Sequence, residues 1–151
     1  MKSETIAPSR CKFRVSSSFR IPNSNLGFNQ NMPEKVYDLE ERTLAFAKAV
    51  RELVKELPKC TANFEDGKQV VRSSGSVGAN CIEANESLGK KDFAMRIRIS
   101  LKEAKETVYW LKLVDCENNK AMNEKRTALI QEATELMKIF GAILKKTTGA
   151  N

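Results

Sequence analysis

The 151-residue chain contains no histidine. That absence removes the commonest general base, the Ser-His-Asp and Cys-His nucleophilic machineries and histidine-dependent zinc sites together. Cysteine is sparse: Cys11, Cys60, Cys81 and Cys116 lie far apart and form no C-x-x-C pair, so neither a four-cysteine zinc site nor a thioredoxin-like centre is expected. They read as reduced thiols, the habit of a cytoplasmic protein. No stretch approaches the roughly 20 apolar residues that span a bilayer, and the N-terminus has no continuous apolar segment for secretion, so no membrane partner is expected. Proline stops at Pro58, which leaves everything after it free to be helical. A phosphate loop is excluded by spacing: Ala84 stands where G-x-x-x-x-G-K-[ST] needs its first glycine, and Lys91 where it needs Ser or Thr. No reaction and no cofactor are expected from such a residue set.

What is present suffices for one core. With 41% hydrophobic and 30% charged residues, a chain of this length buries roughly 70% of its unfolded surface without staples. The formal charge is +7. Residues 1–31 hold Lys2, Arg10, Lys12, Arg14 and Arg20 against Glu4 alone, so they carry +4 of it. This stretch is Ser- and Asn-rich, lacks periodicity and reads as a disordered basic extension. It also has the Ser- and Arg-rich, acid-poor look of a transit peptide; the plainer alternative is that translation begins at Met32.

From Asp38 onward the apolar residues alternate at intervals of four and three, the period of helices whose seams face other helices. The spacing predicts a first helix over 38–57, with Leu39, Thr43, Phe46, Val50, Leu53 and Leu57 inward, an Asp38/Glu41 capping box, and Pro58 as its stop. A second, over 65–88, uses Val70, Ser74, Val77, Cys81, Ala84 and Leu88. A third, over 91–116, uses Ala94, Ile97, Leu101, Ala104, Val108 and Leu111, and a fourth, over 123–146, uses Leu129, Ala133, Leu136, Phe140 and Ile143. Short connections make the expected fold all-α: an antiparallel up-down-up-down four-helix bundle over residues 36–146. The glycines within Arg72–Asn80 either break the second helix or let a neighbour approach closely. The unbroken phase of Val70, Ser74, Val77 and Cys81 favours a continuous helix.

The third helix carries two features beyond its seam. Met95, Ile99, Trp110 and Leu113 fall nearly opposite the inward residues, a second apolar stripe suited to burial against another copy of the chain. Scattered exposed apolar residues are the plainer reading. Lys91, Arg98, Lys102, Lys105 and Lys112 project within roughly an 80° sector, while Asp92, Glu103 and Glu106 lie elsewhere. One-sided basic charge suits a phosphate backbone, RNA or DNA. A solvated face, or pairing with acids on a neighbouring subunit, would also account for it, and the stripe reads as free of interleaved aromatics, so base stacking of the single-strand kind is not expected.

Several short motifs occur in a characteristic order: Asp38-Leu39-Glu40-Glu41-Arg42-Thr43 with Phe46-Ala47, Leu57-Pro58-Lys59, Gly67-Lys68-Gln69, then Arg72-Ser73 and Ser76-x-x-Ala79-Asn80-x-x-Glu83, Lys91-Asp92-Phe93 and Lys102-Glu103-Ala104. Together they resemble the 23S rRNA-intervening sequence proteins over roughly residues 36–145. The resemblance implies a bacterial cytoplasmic four-helix protomer that assembles as a homopentamer. It also implies kinship with the accessory variability determinant of diversity-generating retroelements, which binds nucleic acid and a reverse transcriptase. Arg72, Ser73, Ser76, Ala79, Asn80 and Glu83 match the family's second-helix motif. Asn85 departs from the glycine usual after the position of Ala84. The resulting expectation is a non-enzymatic oligomer that binds nucleic acid through the basic flank of its third helix. The alternative is a scaffold or adaptor for a protein partner.

Overall fold

The computed structural model describes residues 39–149. Four helices account for nearly all of them: α1, Leu39–Glu56; α2, Thr61–Asn85; α3, Lys90–Leu113; and α4, Lys120–Thr148. Among the described residues there is no strand, and no helix is long and apolar enough to cross a membrane. Successive helices pack side by side and α4 returns to α1, closing a four-helix bundle. The 36–146 domain is thus covered from Leu39 onward. Asp38 and its capping box, residues 1–31 and Met32 lie outside the described residues.

The core is the predicted seam, read inward from each helix. Phe46, Val50 and Leu53 of α1 meet Val70 and Val77 of α2, Ile97 and Leu111 of α3, and Leu136 and Phe140 of α4. Each of these is essentially removed from water, which at about 1.5–3 kcal/mol per large aliphatic or aromatic side chain supplies the main drive for assembly. The starts of α2 and α4 fall earlier than the apolar spacing indicates, and side chains outside the pattern cap both. The Cys60 Sγ accepts the Asn63 amide at 3.4 Å ahead of α2, and the Asn119 side chain accepts the Met122 amide at 3.1 Å ahead of α4. Gly149, at φ +67°, ends α4 in the left-handed conformation that glycine tolerates.

Helix α2 runs unbroken through its glycines. On its α1 side, a Cβ on Gly78 would stand 3.3 Å from Thr43 Oγ1, and one on Gly67 3.1 Å from Val54 Cγ1. The missing side chains therefore let the two helices close up, and packing offsets the propensity cost of glycine. On the α3 side the close approach is made by hydroxyls. Ser100 Oγ donates to the Val77 carbonyl at 3.1 Å, and Thr107 Oγ1 lies 2.9 Å from Ser73 Oγ. This corrects two expectations. Leu101 and Val108, assigned to the seam, are only half-buried against the core, while Ser100 and Thr107 take fully buried places between the helices. Leu88 is fully exposed, because α2 ends at Asn85 and leaves it in the connection.

The α1–α4 seam is the loosest of the four and carries a charged staple. Arg42 Nε and Nη2 donate to the two Glu132 carboxylate oxygens at 2.6 and 2.9 Å. At one end of the bundle the buried Asn63 ties two loops together. Its amide donates to the Pro58 and Asp115 carbonyls, and its oxygen accepts the Asp115 amide at 2.8 Å. Among the described residues, no buried side-chain polar atom lacks a partner, so the interior is satisfied as it stands.

Candidate nucleic-acid interface

Because Ser100 and Thr107 commit one flank of α3 to α2, and Ala94, Ala104 and Leu111 fill the core, the side of α3 opposite them must face water. Lys91, Arg98, Lys102, Lys105 and Lys112 are all exposed there. Lys91, Arg98, Lys105 and Lys112 recur every seven residues, which at 1.5 Å per residue sets them about 10 Å apart along a row of about 32 Å. Lys102 fills the row one turn from Arg98 and from Lys105.

None of these five cations forms an ion pair with a described residue, whereas Arg42, Lys55, Lys68, Arg96, Lys125 and Lys138 each have an acidic partner. The acids of α3 are engaged elsewhere. Asp92 and Glu83 both bracket Arg96. Glu106 accepts the Trp110 indole N–H at 3.1 Å. The pKa of Glu103 is raised first by burial and then by the neighbouring Glu106, against the opposing pull of Arg72 and Lys102. Asp92 and Glu106 are thus engaged within the bundle, whereas the five bases form no ion pair among the described residues.

The second apolar stripe is divided. Met95 and Leu113 project into solvent, while Ile99 is half-buried and Trp110 packs partly against the core. The motif residues of α2 also part company. Ser73 is buried beside Thr107, Glu83 reaches across to Arg96, and Arg72 is exposed near Glu103. Ser76 is half-buried and Ala79 exposed. The Asn80 amide turns back onto its own helix and donates to the Ser76 carbonyl at 2.9 Å.

One residue of the basic face was missed. Tyr109 lies four residues after Lys105 and three before Lys112, within the same sector, and is 57% exposed. The expectation of a stripe without aromatics is corrected by it. The signal was available in the sequence, since i−4 and i+3 neighbours share a helix face.

Leu44 of α1 and Phe64 and Ile82 of α2 are also exposed, with Lys68 set 4.0 Å above the Phe64 ring. Three or more potential metal-binding carboxylates or thiols do not come together anywhere among the described residues.

The family model for 23S rRNA-intervening sequence protein matches residues 36–142, which takes in α1, α2, α3 and most of α4. The chain belongs to that family. A solved structure of an S23 ribosomal protein family member of unknown function from Bacteroides thetaiotaomicron is similar to it, with 32% identity and a TM-score of 0.60 over 70% of this chain and 97% of that one. No curated protein matches. Family membership and the similar solved structure agree with the four-helix fold, and both leave the use of the basic face to be argued from its chemistry.

Proposed function

We propose that this member of the 23S rRNA-intervening sequence family is a non-enzymatic, cytoplasmic, oligomeric bundle that binds the phosphate backbone of nucleic acid through Lys91, Arg98, Lys102, Lys105 and Lys112. The observation that carries the reading is that five cations share one face of α3 and none forms an ion pair with a described residue. Self-repulsion along that row weakens the free protein, and condensation onto phosphates relieves it while releasing counterions.

Electrostatic binding has a distinctive signature. If all five contact phosphates, the logarithm of affinity for duplex DNA falls with the logarithm of salt at a slope of about −4.5 per protomer, so raising salt from about 50 to 200 mM costs about 500-fold. Binding of labelled duplex DNA and structured RNA to the full chain, measured against salt, checks this. Replacing Arg98, Lys102, Lys105 and Lys112 by Gln should abolish it, and unchanged affinity in that variant would end the proposal.

The exposed Met95 and Leu113 favour a second reading, in which this face meets other protein. A homopentamer is the assembly proposed from the family resemblance. Met95→Glu with Leu113→Glu should yield folded monomers in sedimentation, and a monomeric parent would remove the oligomer. If the four Gln substitutions disrupt assembly rather than nucleic-acid binding, the scaffold or adaptor reading replaces the first.

A further inference from the structure

We infer that Tyr109 is a stacking platform for an unpaired base, which makes single-stranded nucleic acid the preferred ligand of the α3 face. This deepens the nucleic-acid reading above and rests on it. The ring is 57% exposed, on the same water-facing side of α3 as the cations. Lys105 and Lys112 flank it on the helix and Lys102 lies two turns back. A strand held by these cations is brought to the ring. Glu106, the one acid a turn away, has its carboxylate on the Trp110 indole N–H.

The ring is also braced. Trp110 meets it edge-on, with centroids 5.1 Å apart and planes at 76°. Trp110 is in turn held by Glu106 and by its packing against the core. Contact on one side leaves at least one face of the tyrosine ring uncovered, and a ring already fixed loses little freedom on stacking.

The two parts of the face distinguish ligands differently. The cations act on any phosphate backbone. The ring acts only on a base whose face can be reached, and in a duplex the faces are hidden within the stack. One aromatic platform should thus favour a single strand over a duplex by roughly tenfold.

The test measures binding of fluorescein-labelled 12-mers of dT, rU and mixed-sequence duplex to the full chain at one salt concentration. Wild type should prefer the single strands by about tenfold, with no commitment between dT and rU. Tyr109→Ala should remove that preference and leave duplex affinity and salt slope unchanged, while Tyr109→Phe, which keeps the ring, should retain it. Trp110 is the only tryptophan, so its emission should respond to (dT)12 in wild type and less in Tyr109→Ala. Equal losses for single strand and duplex, or no loss for either, would overturn the platform while leaving the cation row standing, provided the four-Gln variant still fails to bind duplex. Absence of binding by wild type to all three probes would overturn both.

Discussion

The Arg42–Glu132 pair offers the sharpest test of what holds the bundle closed. The Glu132 side chain is only 5% exposed and the Arg42 side chain 16%, and both carboxylate oxygens accept hydrogen bonds from two guanidinium nitrogens. Replacing Arg42 with Met keeps the aliphatic stem but strands a buried anion on the loosest seam. Breaking a buried pair in this way costs about 3–5 kcal/mol. The residual exposure of Arg42 puts the expectation at the lower end, about 3 kcal/mol, or a fall of about 12 °C or more in Tm for a domain of this size. The surface pair Lys125–Glu56, whose side chains are 50% and 44% exposed, is the internal control: Lys125→Met should cost no more than about 1 kcal/mol. Removing both charges, Arg42→Met with Glu132→Leu, should recover at least half of the single-variant loss, since apolar residues of similar volume need no desolvation. Urea and thermal unfolding followed by circular dichroism at one protomer concentration read all four proteins on a common scale, which matters because assembly would add to apparent stability. Equal losses for Arg42→Met and Lys125→Met, or a double variant no better than the single, would refute the reasoning.

Glycines on α2 and α4 should respond unequally to alanine. Gly141 has nothing within 4 Å of a built Cβ, so Gly141→Ala should stabilise by up to about 1 kcal/mol, whereas Gly67→Ala, facing Val54 at 3.1 Å, should gain distinctly less; thermal unfolding compares them. Glu103 has a raised pKa from burial and from Glu106. An acid raised in the folded state carries no penalty below the ordinary carboxylate range, acquires one as pH rises through that range, and bears it in full above the folded value. Glu103→Gln should accordingly raise Tm near neutral pH and lose that advantage in acid, and a pH-independent effect would contradict the burial argument. Burial also pushes the Cys116 thiol up against the opposing effect of Arg126, while Cys60 is exposed. Peptide mass spectrometry after brief alkylation of the native protein should find Cys60 modified and Cys81 and Cys116 spared until unfolding.

By itself the sequence determined the helices and most of their inward faces. Three-and-four spacing of apolar residues is a local property with a physical period, so Leu39, Phe46, Val50 and Leu53, or Leu129, Leu136 and Phe140, could be assigned before their neighbours were known. The segregation of Lys91, Arg98, Lys102, Lys105 and Lys112 was legible for the same reason. Tertiary structure decided what hydropathy cannot rank. Ser100 and Thr107 displaced Leu101 and Val108 from the tightest positions because a small hydroxyl can meet α2 closely and satisfy itself there. Arg42 and Glu132, ninety residues apart, found each other only when α4 came back to α1. Periodicity also could not say which charges would be neutralised, since that depends on which helix lies alongside. Arg96 was claimed by Glu83 of α2, and the row on the other flank of α3 forms no ion pair with a described residue.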